Sequence, residues 1–158
     1  MNNQIKYRHY KKSDTPFLDI IYQDKNIMAN VPFNKKKSYL FLIDNNIVGF
    51  FNVEKLHGYP EIQYAILKEY RNLGLGSMLL EDLTTLMFLN TNCEKIYLMI
   101  NRNNTPSLKL ASKNGYQIDY DLESNDIDFP YYNLYKNNPY YEKELSSKIL
   151  SLKFLNIS

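Results

Sequence analysis

The stretch KEYRNLGLGSMLLEDLTTLMF, residues 68–88, decides the fold. Two glycines, Gly74 and Gly76, stand one residue apart after Arg71, in a chain with only 5 Gly among 158 residues. Ordering a glycine costs backbone entropy, so a close pair marks positions that a side chain cannot occupy. The apolar spacing that follows predicts a helix. The pair is therefore either a plain tight turn entering that helix or a loop whose amides face an anion at its N-terminus.

Two predicted strands enclose this glycine turn and its helix. Before the turn, residues 59–70 (YPEIQYAILKEY) predict a strand whose side chains alternate, with Glu61, Gln63 and Ala65 on one face. After the helix, residues 94–101 (EKIYLMIN) contain an unbroken apolar run, which is expected of a strand covered on both faces. A strand, a glycine turn, a helix and a strand in that order predict a crossover joining parallel strands.

The other segments alternate between strand and helix signals. A helix is predicted from Thr15 to about Met28, with Asp14 or Thr15 as its cap. Residues 39–53 predict a hairpin around a short Asp/Asn turn, and Asn114-Gly115 is a stop signal for a short helix. This order predicts an α/β fold, a mixed sheet flanked by helices, in a single domain of residues 1–158. Further strands are predicted at residues 4–11, 116–122 and 131–137, and a helical extension at 139–158.

The composition limits the classes of protein to which this chain can belong. A net charge of +2 and 44% hydrophobic residues are ordinary for a globular chain and indicate neither a nucleic-acid nor a membrane surface. No apolar stretch approaches the roughly 20 residues of a membrane span. The N-terminal residues lack the apolar core of a signal peptide, so we expect a cytoplasmic protein. Cys93 is the only cysteine, which excludes an internal disulfide, and zinc-ligand spacing is absent, so no metal is expected.

The glycine turn lacks the common nucleotide-binding patterns. Both G-x-G-x-x-G and G-x-x-x-x-G-K-[ST] are missing, and Arg71-x-x-Gly74-x-Gly76 is a weak pattern by itself. After the next predicted strand stands a second motif, Asn104-x-x-Ser107, followed by Leu110, Lys113, Gly115 and Tyr116. Together the two motifs resemble the GNAT superfamily of acetyl-CoA-dependent N-acetyltransferases. Within it, the chain resembles the branch of ribosomal-protein N-terminal and polyamine acetyltransferases. The resemblance in element order covers residues 4–137, with a motif core at residues 61–116.

The resemblance implies a GNAT-like fold, splayed at the cofactor-binding strand, with acetyl-CoA as co-substrate. The loop amides and the following helix N-terminus would bind the CoA pyrophosphate. Backbone groups at the end of the preceding strand would hold the pantetheine arm, as a partly open sheet edge can. The implied cofactor-binding residues are Ala65, Ile66, Leu67, Arg71, Asn72, Leu73, Gly74, Leu75, Gly76, Ser77, Asn104, Ser107 and Lys113.

Catalysis requires a group that takes the proton of the amine and one that protonates the leaving thiolate. Glu61 is the candidate base, because the resembled branch often carries a glutamate ten residues before the arginine, and a carboxylate can accept that proton. The donor to the thiolate is either Ser107, the second candidate catalytic residue, or a tyrosine from elsewhere in the chain, and among 15 tyrosines the sequence does not indicate which. Many relatives carry a tyrosine as proton donor where this chain has Ala111. Asn72 replaces a glycine that is frequent in the family, but asparagine tolerates left-handed backbone.

Each of these assignments has a structural alternative. Asn104 is then a helix cap, and Ser107 a surface residue of a first helical turn. Lys113 is then a solvated lysine, and Glu61 a water-exposed residue of an edge strand.

Three functions compete at this point. The first is an acetyltransferase acting by direct attack of a primary amine in a ternary complex; the amine belongs to a protein N-terminus, a lysine, a polyamine or an amine drug. The second is a non-catalytic acyl-CoA sensor or complex subunit. The third, a flavodoxin-like or nucleotide-binding module, lacks its phosphate motif. Acidic residues within 121–128 favour a cationic acceptor. The expected partners are acetyl-CoA and an amine acceptor, without nucleic acid or membrane, and the amphipathic tail leaves a homodimer open.

Overall fold

The structure, a computed structural model, describes residues 3–122 and 129–143. Within them, the strands form one mixed sheet and the helices flank it. The strands are β1 (Ile5–His9), β2 (Tyr39–Ile43), β3 (Asn46–Leu56), β4 (Tyr59–Ile66), β5 (Lys95–Asn101), β6 (Gln117–Ile118) and β7 (Tyr131–Asn137). The helices are α1 (Thr15–Gln23), α2 (Lys25–Asn30), α3 (Leu75–Asn90) and α4 (Thr105–Lys113), with short 3₁₀ turns at Lys12–Asp14 and Lys68–Tyr70. The strand predicted over residues 59–70 is wrong at its end, because β4 stops at Ile66 and the chain then turns.

The order of the sheet is β1-β2-β3-β4-β5-β7-β6. β4 and β5 run parallel, with Glu61 opposite Tyr97, so the predicted crossover is confirmed. Antiparallel ladders join β1 to β2, β2 to β3, β5 to β7 and β6 to β7. The predicted α/β fold with a mixed sheet is therefore confirmed, while its splay stays a prediction.

Contacts within the chain group the described residues into two compact units. The first unit contains residues 3–53 and 63–76, and the second contains residues 54–62, 77–122 and 129–143. The single domain of residues 1–158 stays a prediction. The acidic residues at 123–128 and most of the predicted helical tail lie outside the described residues.

The hairpin of the first unit follows from its turn residues. Asp44 and Asn45 form a two-residue turn, with φ of 49° and 67°. Both central residues of a type I′ turn need positive φ, and asparagine and aspartate tolerate it. The predicted hairpin is confirmed. Behind it, α1 and α2 bury apolar side chains against β2 and β3, in a core that includes Phe17, Leu18, Ile21, Ile27, Leu40, Leu42 and Phe50.

The predicted continuous helix from Thr15 to Met28 is wrong, because two helices meet at Asp24. Asp24 has an extended backbone, with φ of −87° and ψ of 100°, and its carboxylate accepts hydrogen bonds from the N–H groups of Asn26 and Ile27. Aspartate stabilises such an N-cap more than it stabilises a helix interior. The chain therefore ends α1 at Gln23 and begins α2 at Lys25.

The second unit buries apolar side chains of α3 and of β5. Leu79, Leu83 and Met87 of α3 repeat at helical spacing and are fully buried, as predicted. In β5 the side chains of Ile96 to Leu98 are buried. Met99 is 39% exposed, so the expectation of complete cover along this strand is wrong at that residue.

The end of α4 confirms the predicted stop signal. Gly115 has φ of 86°, a left-handed conformation that glycine adopts without a Cβ penalty. The N–H of Tyr116 donates to the carbonyl of Ala111, and the N–H of Gly115 donates to that of Ser112. This pattern satisfies the last carbonyls of the helix. The predicted late strands also pair, although β6 is only 2 residues long.

The hydrogen bonds of Asp14 indicate how the stability of the fold changes as the pH falls. Arg8 donates Nη1 to Oδ2 at 2.7 Å and Nη2 to Oδ1 at 2.9 Å, and the N–H of Lys11 also donates to this largely buried carboxylate. The hydrogen bonds from Arg8 lower the pKa of Asp14 below its ordinary 3.8, against the opposing effect of burial. A depressed folded-state pKa stabilises the fold above the unfolded value, and this contribution is lost as the pH falls through the folded value.

We therefore expect the free energy of unfolding, measured in urea between pH 6 and pH 2.5, to fall steeply below about pH 4. Asp14→Asn should lose about 1–3 kcal/mol at pH 6, because Arg8 is left without its charged partner, and should flatten the acid limb. The exposed Asp19→Asn is the control and should follow the wild-type curve. An unchanged acid limb in Asp14→Asn would contradict the assignment.

Candidate active site

Residues 71–76, which follow the 3₁₀ turn after β4 and extend into the first turn of α3, are called the glycine loop below. It passes twice through left-handed backbone, at Asn72 with φ of 62° and at Gly74 with φ of 78°, whereas Leu73 between them does not. The expectation that Asn72 adopts this conformation is confirmed. Alternation of left-handed and other residues turns successive backbone N–H groups toward a common concavity, which suits an anion.

The glycine loop is open on its outer side. Residues 72–74 are exposed, and a Cβ built on Gly74 would meet no atom within 4 Å. α3 begins at Leu75, directly after Gly74, and its first N–H groups have no partner inside the helix. Loop and helix together therefore offer backbone donors and the positive end of a helix dipole to an anion.

The side chain of Arg71 forms hydrogen bonds within the protein. Its Nε donates to the carbonyl of Ile66 at 2.9 Å, and its Nη2 donates to Oδ2 of Asp24 at 2.7 Å. One guanidinium thus joins the end of β4 to the start of α2. A contribution of Arg71 to cofactor binding would therefore come from its backbone rather than from its guanidinium, and it stays a prediction.

The end of β4 at Ala65 and Ile66, together with the next residue, Leu67, lies close to β3. A Cβ on Gly49 would lie 2.3 Å from the carbonyl oxygen of Ala65, so only glycine allows this approach. The N–H of Leu67 donates to the carbonyl of Val48 at 2.9 Å. Binding of pantetheine by Ala65, Ile66 and Leu67 stays a prediction, and the N–H of Leu67 is already used.

In the second unit, the structure brings Asn104 and Ser107 together. Asn104 is the N-cap of α4, and its side chain accepts a hydrogen bond from the N–H of Ser107 at 3.3 Å. The capping alternative is therefore confirmed for Asn104. Ser107 lies half-buried in the first turn of α4. A cap does not exclude ligand binding, because the amide group of Asn104 and the hydroxyl of Ser107 still carry donors.

Three more residues named in the sequence analysis belong to the second unit. Ser77 accepts a hydrogen bond at its Oγ from Nδ2 of Asn114 at 3.0 Å, which ties α3 to the end of α4. Lys113 is exposed in the last turn of α4, as its solvated alternative predicts. Ala111 is fully buried and supplies no proton donor. The cofactor roles of Ser77 and Lys113 stay predictions.

In the second unit, the hydroxyl groups of two buried tyrosines form hydrogen bonds with other side chains. Tyr97 donates to Oδ2 of Asp119 at 2.6 Å, and the hydroxyl of Tyr116 lies 2.6 Å from that of Thr84. Burial raises the pKa of Tyr97 above its ordinary value, and the hydrogen bond to Asp119 adds to this effect. Both hydroxyls already serve the packing of the unit, which leaves Ser107 as the candidate donor among the residues predicted from sequence.

Glu61 is buried, with only 4% of its surface exposed. β4 is the fourth of seven strands in the sheet, and Glu61 is directly opposite Tyr97 of β5. The alternative of a water-exposed glutamate on an edge strand is therefore wrong. A carboxylate is rarely placed in a sheet interior without hydrogen bonds or a function, because its desolvation costs free energy.

Cys93 is also buried, and burial raises the pKa of its thiol. A protonated, enclosed thiol is a poor nucleophile. Within the residues that the structure describes, no group of three or more His, Cys, Asp or Glu side chains could hold a metal ion. Among those same residues, none of the helices has the length and apolar character needed to cross a bilayer.

Sequence reasoning missed a buried polar network in the first unit. Ser38 donates to Oδ1 of Asn52 at 2.5 Å, and Nδ2 of Asn52 donates to the carbonyl of Pro32 and to Oε1 of Gln63. Ser38 and Asn52 are both buried. The available signal was a single asparagine inside the apolar run IVGFFNV, because a polar residue in a buried strand requires partners. This network holds the segment before β2 against β3 and β4.

Comparison with known proteins identifies the family. The Acetyltransferase (GNAT) family matches residues 6–116. An N-alpha-acetyltransferase of Sulfurisphaera tokodaii is 32% identical over 73 residues, which are 44% of this chain and 44% of that protein. The chain spans about half the length of the curated relatives it matches.

Solved structures give the same fold. The ribosomal-protein-S5-alanine acetyltransferase of Vibrio fischeri superposes with a TM-score of 0.69 at 14% identity, covering 87% of this chain and 95% of the other. The spermidine N-acetyltransferase of Vibrio cholerae, solved with CoA and spermine, gives a TM-score of 0.65 at 18% identity and covers 85% and 96%. These likenesses show the fold, a mixed α/β sheet flanked by helices. The chain belongs to the Acetyltransferase (GNAT) family.

Proposed function

We propose that this protein is an N-acetyltransferase that transfers the acetyl group of acetyl-CoA to a primary amine by direct attack in a ternary complex. The observation that carries the proposal is the glycine loop. It combines two left-handed residues, an exposed outer side and a helix that begins at Leu75, in a chain of the GNAT family. The amides of this loop and of the first turn of α3 would bind the pyrophosphate.

Gly76 supports a ligand at this loop rather than a plain turn. Gly74 needs glycine because its φ is positive, but Gly76 lies in the first turn of α3 without positive φ. Glycine at a helical position costs roughly 0.5–1 kcal/mol relative to alanine. The missing side chain at Gly76 would give the proposed phosphate group close access to the backbone, and this binding would offset that cost.

Glu61 is proposed as the base of the reaction. The amine nitrogen attacks the carbonyl carbon of the thioester, the C–S bond breaks, and CoA leaves as its thiolate. The carboxylate of Glu61 takes the proton that the amine loses, directly or through one water. Ser107 is proposed as the donor that protonates the thiolate, because Ala111 has no proton to give. The burial of Glu61 supports this role, since electrostatic interactions are stronger away from water.

The acceptor is proposed to be a protein N-terminus or a polyamine. N-alpha-acetyltransferases are among the relatives, and the structural neighbours include enzymes of ribosomal proteins and of spermidine. Both acceptor types present a primary amine. A homodimer and a cytoplasmic location stay predictions.

Calorimetric titration with acetyl-CoA tests the binding, and thiol release from acetyl-CoA tests turnover over a panel of spermidine, lysine and short peptides with free N-termini. We expect saturable acetyl-CoA binding and release of CoA thiol with at least one of the amines. Binding without turnover across the panel would favour the acyl-CoA sensor, and absence of binding would overturn the proposal.

Cys93→Ala is the control for direct transfer in this experiment. The buried thiol should not carry the acetyl group, so the variant should keep the wild-type rate. An acetylated Cys93 detected by mass spectrometry in the working enzyme would contradict direct attack.

A further inference from the structure

We propose that Asp24 is a positioning residue that holds the glycine loop in its binding conformation through Arg71. This inference rests on the proposed binding of acetyl-CoA at that loop. Asp24 lies 47 residues before Arg71 in the chain, and neither motif of the sequence includes it.

The geometry gives Asp24 two tasks at once. Its Oδ1 accepts the N–H groups of Asn26 and Ile27 at 3.0 and 3.1 Å, which caps α2. Its Oδ2 accepts Nη2 of Arg71 at 2.7 Å. One carboxylate therefore fixes the start of a helix and the first residue of the glycine loop.

Arg71 completes the connection to the sheet. While Nη2 is held by Asp24, Nε donates to the carbonyl of Ile66, the last residue of β4. The planar guanidinium presents its donors in a rigid fork, so two partners on different sides define its orientation. The first residue of the glycine loop is therefore held at a fixed position relative to the end of β4.

The ion pair is sheltered enough to act as such a brace. The side chains of Arg71 and Asp24 are 31% and 12% exposed. Burial acts to raise the pKa of Asp24, but the N–H of Ile27 and the charge of Arg71 outweigh it, so the pKa lies below its ordinary value. Asp24 is thus charged at neutral pH, and its bond to Arg71 is charge-assisted, which makes it stronger than a neutral hydrogen bond.

The consequence for binding is preorganisation. Asn72 and Gly74 occupy left-handed backbone that an unrestrained loop would leave for part of the time, and a ligand that must restore it binds more weakly. Since the guanidinium is occupied by Asp24 and Ile66, Arg71 fixes the conformation of the glycine loop. The backbone amides of the loop then contact the anion.

Asp24→Ser tests the inference, because serine caps a helix as well as aspartate but is too short to reach Arg71. We expect faster hydrogen exchange of the amides of residues 72–76 in the ligand-free protein. We also expect a Kd and a KM for acetyl-CoA about tenfold higher than wild type, with kcat at saturation little changed. Asp24→Asn keeps an acceptor oxygen for Arg71 and should fall between Asp24→Ser and wild type.

Asp14→Ser is the matched control, because it removes the other Asp–Arg ion pair described in the first unit. It should lower the thermal midpoint and leave both the loop exchange and the Kd unchanged. Unchanged exchange in Asp24→Ser, an unchanged Kd, or equal loosening of the loop by Asp14→Ser would overturn the inference. Failure of the wild-type protein to bind acetyl-CoA would instead overturn the proposed function, while loop exchange would still decide the role of Asp24.

Discussion

Gly74→Val should abolish acetyl-CoA binding and leave a folded protein. Gly74 has φ of 78°, and a β-branched residue strongly resists this conformation, so the glycine loop must change its path. The space around a Cβ at this position contains no protein atom within 4 Å, so the side chain would enter the space proposed for the ligand. We expect the Kd from calorimetric titration to rise by about 100-fold or more, given a strain of order 1–3 kcal/mol in addition to the blocked site.

Gly58→Val is the control matched to Gly74→Val. Gly58 in the β3–β4 turn has φ of 84°, and it too has no protein atom within 4 Å of a built Cβ. The backbone strain is therefore comparable, but the glycine loop is untouched. Both variants should lose similar stability in urea unfolding, while only Gly74→Val loses acetyl-CoA affinity. Equal and wild-type affinity in the two variants would return Gly74 to a plain tight turn.

Glu61→Gln should leave acetyl-CoA binding intact and lower kcat by about 10²- to 10⁴-fold, the usual effect of losing a general base. Glutamine keeps the shape of the side chain and removes its capacity to accept a proton at neutral pH. Because Glu61 is buried beside β5, the substitution should be accompanied by little change in the Kd for acetyl-CoA. Rates of thiol release with a saturating amine, alongside calorimetric titration, measure the two quantities separately.

The exposed Glu81→Gln of α3 is the control for this substitution and should keep the wild-type rate. A Glu61→Gln variant with a near wild-type kcat and a folded circular dichroism spectrum would make Glu61 a structural residue. The free-base fraction of the amine, or a chain of waters, would then be sufficient for proton removal.

Local signals predicted the elements around the site with good accuracy. The turn at Asp44-Asn45, the stop at Asn114-Gly115 and the apolar spacing of α3 each depend on neighbours within a few residues. Backbone sterics and helical periodicity act at that range, so they can be interpreted without the fold. The helix break at Asp24 was missed because an aspartate inside a helical pattern becomes a cap only where the chain changes direction.

The assignments within the candidate site divide along the same line. The resemblance of the motifs made Arg71, Gly74 and Asn104 candidates for cofactor binding, which stays a prediction. The expectation that Asn72 tolerates left-handed backbone was correct. The sequence did not distinguish a ligand contact from a cap at Asn104, because both use the same amide group. The structure shows the cap, because the side chain of Asn104 accepts a hydrogen bond from the N–H of Ser107, while ligand binding by Asn104 stays a prediction.

By itself, the sequence determined the order of strands and helices apart from the break at Asp24, the parallel crossover around the glycine loop and the resemblance to its family. These depend on patterns along the chain. The tertiary structure alone decided that Glu61 is buried rather than exposed at an edge. It also decided that Arg71 is held by Asp24, 47 residues away. Burial and ion pairing depend on which segments meet in space, and that follows from the packing of the whole chain rather than from the spacing of residues along it.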